Sequence, residues 1–280
     1  MLFEAMDRVR TMRERPLEFS QLFRLLHIHI PKTAGTSFLT VMKELFPLHS
    51  HLSWDNAGQD WRDLCQSGLI RPFNTGHIRL DQVSSEIDLV TKRLMLVSVV
   101  REPLDRVISN YNYGRSVIHP QHREFREEYA SLQQFVGQAT LEPNEQSYWL
   151  CGVQNDRAAL ISAVNRLYFG LCPLPFLDHY MDVIRTTFTD KPHVDSVKVN
   201  ELELSPGDKK FGREDISDTF IERFYEANAL DLELYRSCLH QYAEIMEPLT
   251  PTNENLPFDG SSSGEQTSPL PEPDKAFVET

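Results

Sequence analysis

Cysteine is scarce and scattered in this 280-residue chain: Cys65, Cys151, Cys172 and Cys238 form no Cys-x-x-Cys pair. That excludes a sequence-encoded zinc knuckle or a disulfide framework. Asn-x-Ser/Thr acceptors are absent, although the chain holds eleven asparagines. No apolar run reaches the roughly 18 residues of a membrane-spanning helix. The first residues, MLFEAMDRVRTMRERP, carry charges where a signal peptide needs its apolar segment. A cytoplasmic protein with no integral membrane segment is the expectation. Positive charge is also short: 28 Lys and Arg stand against 41 Asp and Glu, a net of −13. A general nucleic-acid binder needs the opposite balance to reach phosphates.

The acidity is uneven. Residues 247–280 hold seven acidic residues and one lysine among Pro, Ser and Gly. Such a composition cannot repay the entropy of folding, so we expect a disordered acidic tail there. Residues 1–24 are expected as a helical lead-in, and residues 25–246 as the folded body. With the tail's −6 removed, the rest carries −7, an imbalance that still permits a local basic pocket.

Two apolar runs, Leu25–Ile30 (LLHIHI) and Leu94–Val100 (LMLVSVV), have the pattern of buried parallel strands. Each leads through a short polar turn into helical spacing: Phe38, Val41, Met42 and Leu45 after the first, Leu104, Val107, Ile108 and Tyr111 after the second. Further helices are expected near 125–138, near 176–188 and across 216–246, the last with an interruption at Asn228–Asp231. Strand-turn-helix units repeated in this way predict an α/β fold with a parallel sheet.

The turn after the first strand, HIPKTAGTS, has the chemistry of a phosphate cradle. Gly35 is expected to let the backbone turn tightly. Thr36 and Ser37 stand at a helix N-terminus, where unpaired N–H groups and the helix dipole favour anions. Lys32 brings a mobile positive charge to the same place. In a Walker A loop the lysine directly follows the last glycine, whereas Lys32 precedes Gly35, and no acidic strand end suits Mg²⁺.

Pro-Lys-Thr-Ala-Gly-Thr-Ser after a strand resembles the 5′-phosphosulfate loop of sulfotransferases that use 3′-phosphoadenosine-5′-phosphosulfate (PAPS). It is most similar to the carbohydrate branch that contains heparan sulfate 2-O-sulfotransferases and bacterial relatives. The resemblance implies a P-loop nucleotide-kinase-like α/β fold, with a parallel sheet flanked by helices in a single domain, and no metal. It also implies that Lys32, Thr33, Ala34, Gly35, Thr36 and Ser37 hold the phosphosulfate. A second signature, VREPLDRVISNYNY, directly follows the other buried strand. Its Arg101 and Ser109 match the family's grip on the 3′-phosphate; standing alone, Arg101 reads equally as an ion-pair partner of Glu102 or Asp105.

Weaker echoes run on through Asn144-x-Gln146, Phe169–Phe188 (resembling the family's next helix), Val197–Asn200 and Asp231–Tyr235. Lys198, with Lys209, Lys210 and Arg213, is a candidate to close over the nucleotide, against the plainer reading of a solvated charged loop.

For the base that removes the acceptor's proton, the resemblance points to His77 in Asn74-Thr75-Gly76-His77-Ile78-Arg79-Leu80. Its imidazole is expected to titrate near 6–7. Thr75 stands where some relatives carry a second histidine. Lys32 is expected to stabilise the leaving phosphate. His27 and His29 share one face of their strand and read as packed or hydrogen-bonded; His49 and His51 are two ligands too few for a metal site. On the acceptor side, Leu48–Trp61 and Ser116–Arg126 are expected as loops. Trp54 and Trp61 read as sugar-stacking rings or core, and Arg79 and Arg115 as partners of an anionic acceptor or plain surface residues. The expected reaction moves a sulfuryl group to a hydroxyl of a glycan, glycolipid or small natural product. A P-loop kinase and a non-catalytic nucleotide- or glycan-binding protein are the competing readings.

Overall fold

A computed structural model describes residues 23–84, 93–194 and 208–246. The predicted tail, most of the lead-in and Lys198 lie outside them. The fold is built on one five-stranded, wholly parallel sheet, with spatial order β2-β3-β1-β4-β5. Its strands are β1 (Arg24–Ile28), β2 (His49–His51), β3 (Phe73–Gly76), β4 (Leu94–Val100) and β5 (Tyr168–Pro173). The order and the helices on both faces are those of the expected P-loop nucleotide-kinase-like architecture.

Alternation along the strands divides the core. On one face Leu26, Ile28, Leu96 and Val100 pack with Trp61, Leu150 and Leu234. They meet helices α2 (Ala57–Gln66), α7 (Glu145–Cys151), α8 (Arg157–Leu167) and α11 (Ala229–Met246). On the other face Leu25, Val97 and Val99 pack with Phe38, Met42 and Ile184, from α1 (Gly35–Leu45) and α9 (Leu177–Phe188). A third cluster joins Leu104 and Tyr111 of α4 (Pro103–Arg115) to Val136 of α6 (Leu132–Leu141) and Phe224 of α10 (Asp218–Ala227). Two short helices, α3 (Leu80–Ser84) and α5 (His122–Glu128), complete the set among the described residues. None of these helices is long and apolar enough to cross a membrane.

Two expectations need correction, and one holds. The helix expected near 125–138 is two helices, α5 and α6, because Ser131 caps the second by accepting from the Gln134 N–H at 3.2 Å. The expected interruption of 216–246 is real, and it falls at Asn228, between α10 and α11. Phe169–Phe188, read as helical, begins instead in strand β5, where Leu171 and Cys172 pair with β4 and are wholly buried.

Candidate active site

The carboxyl ends of β3, β1 and β4, adjacent in the sheet, carry His77, the Lys32 turn and Arg101. In open α/β sheets this edge is where ligands bind. Between β1 and α1 the backbone is strained: Lys32 has φ 67° and Ala34 φ 65°, while Thr33 between them is not left-handed. Alternation of this kind turns successive N–H groups towards one point and forms an anion-binding concavity. Thr33 braces the turn by donating its hydroxyl to the Ile30 carbonyl at 2.9 Å. Ala34, the N-cap of α1, supplies no side-chain cap, so the start of the helix is left to the backbone of Gly35, Thr36 and Ser37.

Gly35 is required for a different reason from the one expected. It is not left-handed; the turn is made by Lys32 and Ala34. A Cβ built on Gly35 would lie 1.8 Å from His29 Nε2, so only glycine lets the imidazole lie against the start of α1.

His29 joins the two parts of the site. Its ring stacks on His77 with centroids 4.0 Å apart, and on His27 at 5.3 Å. Trp54 closes the far side of His77, edge-on at 3.9 Å. Packing had been the expectation for His29, and the strand alternation that pairs it with His27 gave no sign that it would reach His77. It arrives there from the end of β1, one strand away from Thr75 on β3.

Burial lowers the His77 pKa to about 4, against an opposing backbone hydrogen bond with His29. This corrects the expected 6–7: His77 is neutral, and able to accept a proton, throughout the physiological range. Burial takes His27 down to about 3, and burial followed by the neighbouring histidines holds His29 well below its ordinary value. Depressed folded-state values make these histidines contribute stability above pH 6.5. That contribution is lost as pH falls towards the folded values, because the unfolded chain takes up protons the folded chain refuses. His27 alone should remove about 2 kcal/mol between pH 7 and pH 5, at 1.36 kcal/mol per unit. Urea unfolding at the two pH values checks this: His27→Asn should lose about that much less than the parent, and equal losses would mean that His27 titrates normally.

Lys32 is lowered to about 8, first by burial and then by Arg101. Its Nζ rests 3.8 Å above the ring of Tyr113 on α4. Arg101 reaches across to the first signature and donates from Nη1 to the Lys32 carbonyl at 3.2 Å. The ion pair considered for Arg101 does not form. Arg213 takes those carboxylates instead, at 2.6 Å from Glu102 and 2.9 Å from Asp105. Lys209 pairs with Asp215. These two of the candidate closing cations are thus committed within their own surroundings, and Lys210 is exposed. Ser109 is half-buried on α4, two turns beyond Arg101.

The Arg101 backbone is held by a side chain that sequence reasoning left without a role. Gln146 accepts from the Arg101 N–H and donates to its carbonyl, both at 2.9 Å. Gln146 is itself fixed by Asp231, whose buried carboxylate accepts from the N–H groups of Gln146 at 3.0 Å and Ser147 at 2.7 Å. The echoes at Asn144-x-Gln146 and Asp231 were the available signal. They are two ends of one buried network.

Of the acceptor-side candidates, Trp61 is wholly buried core, while Trp54 is 62% exposed beside His77. Arg79 pairs with Asp81 at 3.1 Å and lies over the Tyr148 ring, and Arg115 lies between Tyr111 and Phe211. The stretch Leu48–Trp61 includes β2 and the start of α2, and Ser116–Arg126 includes part of α5, so neither is simply a loop. Among the described residues no cluster of His, Cys, Asp or Glu has the makings of a metal site.

No curated protein sequence matches the chain. Among solved structures, mouse sulfotransferase SULT7A1 complexed with PAP is similar at 12% identity, over 84% of this chain and 95% of that one, with a TM-score of 0.49. The sequence profile of the Sulfotransferase family matches residues 19–160, which take in both strand-end signatures and His77. With just over half of its 280 residues inside that match, the chain belongs to the sulfotransferase family.

Proposed function

We propose that residues 25–246 form a cytoplasmic, PAPS-dependent sulfotransferase acting on a hydroxyl of a glycan, glycolipid or small natural product. The observation that carries this reading is the convergence of the Lys32 turn, His77 and Arg101 at three adjacent strand ends. The α1 backbone and Lys32 hold the 5′-phosphosulfate. Arg101, free of a carboxylate partner, offers its guanidinium to the 3′-phosphate, with the Ser109 hydroxyl as a further donor. Lys198 is placed by resemblance alone among the groups that close the site.

The acceptor hydroxyl gives its proton to His77 as its oxygen forms a bond to sulfur. The bond from sulfur to the bridging phosphate oxygen breaks, and Lys32 stabilises the charge left on that oxygen. The product nucleotide is adenosine 3′,5′-bisphosphate (PAP). The family resemblance implies no metal, and no step of this scheme is routed through one.

Calorimetric titration separates this reading from a kinase. The bisphosphate should bind at least tenfold more tightly than Mg·ATP, and transfer from labelled PAPS to a responsive acceptor should survive a strong chelator. Preference for Mg·ATP, or abolition by chelation with rescue by Mg²⁺, would favour the kinase.

A further inference from the structure

A cavity of about 530 Å³ lies beside the proposed base, walled by α4, α6 and α7. Trp149 and Arg79 line it. The Trp149 ring is 6.1 Å from that of His77, and Arg79 follows His77 by two residues. Cavities of this size hold small molecules, with apolar and aromatic walls and a few placed polar groups. Here the aromatic wall includes Tyr148 and Trp149, and the polar groups include the amides of Asn110 and Gln138.

The charges of this cavity are balanced. Arg79 and Arg106 share the lining with Glu142 and Glu145. Both arginines already hold carboxylates, Arg79 that of Asp81 and Arg106 that of Glu145. A carboxylate or sulfate on the acceptor would find no unclaimed cation here and would meet Glu142 and Glu145 at close range. Hydrogen-bonding capacity in the lining is supplied instead by the side-chain amides of Asn110 and Gln138.

We propose that this cavity is the acceptor subsite, and that it takes an uncharged, multiply hydroxylated ring: a neutral saccharide rather than one bearing a uronate or sulfate. Ring faces lie on Tyr148 and Trp149, and the amides of Asn110 and Gln138 meet the hydroxyls. One hydroxyl points past Trp149 towards His77. The proposal rests on the sulfuryl-transfer reading for its purpose, but its binding chemistry can be tested without turnover.

The test uses the full chain saturated with PAP and ligand-observed NMR. The probes are three neutral disaccharides (cellobiose, lactose and trehalose) and a disaccharide of the same size carrying glucuronate. At least one neutral probe should bind five-fold or more tightly than the glucuronate probe. Gln138→Trp, at an exposed position of the lining, should abolish that binding and leave PAP affinity within threefold. Asn110→Leu removes one lining amide at a half-buried position, and should weaken the neutral probe at least five-fold with the melting temperature retained. Tighter binding of the glucuronate probe would overturn the proposal. So would failure of all three neutral probes, or neutral binding unchanged by both substitutions. If PAP fails to bind while the sugars behave as expected, the donor reading fails and the subsite stands.

Discussion

Replacing His77 by alanine should lower turnover by about 10²–10⁴-fold, the usual worth of a positioned general base, while PAP affinity changes less than about threefold. The two effects separate because the base acts on the acceptor hydroxyl and makes no contact with phosphate. His77 is held between the His29 ring and the edge of Trp54, so its orientation is set before substrate arrives. Since kcat/KM reports ionisations of the free enzyme, its acid limb should fall near pH 4, where burial puts the imidazole. That limb should disappear in His77→Ala. Retained turnover would place the base elsewhere, and loss of nucleotide binding or of the melting transition would make His77 structural.

Lys32→Ala should cost about 10²–10³-fold in kcat, comparable to removing one donor from a preorganised oxyanion site. The charge that develops on the bridging oxygen is largest in the transition state, so kcat suffers more than substrate affinity. Lys32 is charged below its pKa of about 8 and neutral above it. The parent's kcat/KM should therefore decline as pH rises through about 8, and the variant's residual rate should lack that decline. A loss confined to KM with kcat intact would limit Lys32 to binding. The strained φ of Lys32 and its rest on Tyr113 fit a side chain positioned for one direction of use.

The parts of this site that were legible in the sequence are those written in contiguous residues. Strands β1 and β4 are buried on both faces and read as mainly apolar runs, interrupted by His27 and Ser98. Each delivers its signature within a few residues. Strand β3 is equally central, yet Phe73-Asn74-Thr75-Gly76 does not read as a strand. Asn74 brackets the Arg71 backbone locally, and the other partners of the strand's polar side chains are distant in sequence: Asn74 donates to the Leu25 carbonyl at 3.2 Å, and Thr75 Oγ1 lies 2.9 Å from His27 Nδ1. Gly76 is there because Leu52 packs where a side chain would stand. Of these reasons, the Arg71 bracket alone is local; the others are not.

The same holds for His29 and Gln146. The role of each depends on which strand ends become neighbours, and periodicity along one segment carries no such information. Arg213 shows the converse. Its charge in a polar loop suggested a ligand contact, and only the fold reveals that it occupies Glu102 and Asp105 and so leaves Arg101 unclaimed.

The central claim is that these strand ends form a site for a nucleotide bearing a 3′-phosphate, with Arg101 as its partner. Titration of parent and Arg101→Ala with adenosine 3′,5′-bisphosphate and with adenosine 5′-phosphate tests it most directly. Loss of a charge-assisted hydrogen bond costs about 1.5–3 kcal/mol, roughly ten- to a hundred-fold in affinity. The substitution should weaken the bisphosphate by that factor and leave the 5′-monophosphate within about threefold of the parent. Equal losses for the two ligands, or none for either, would contradict the account.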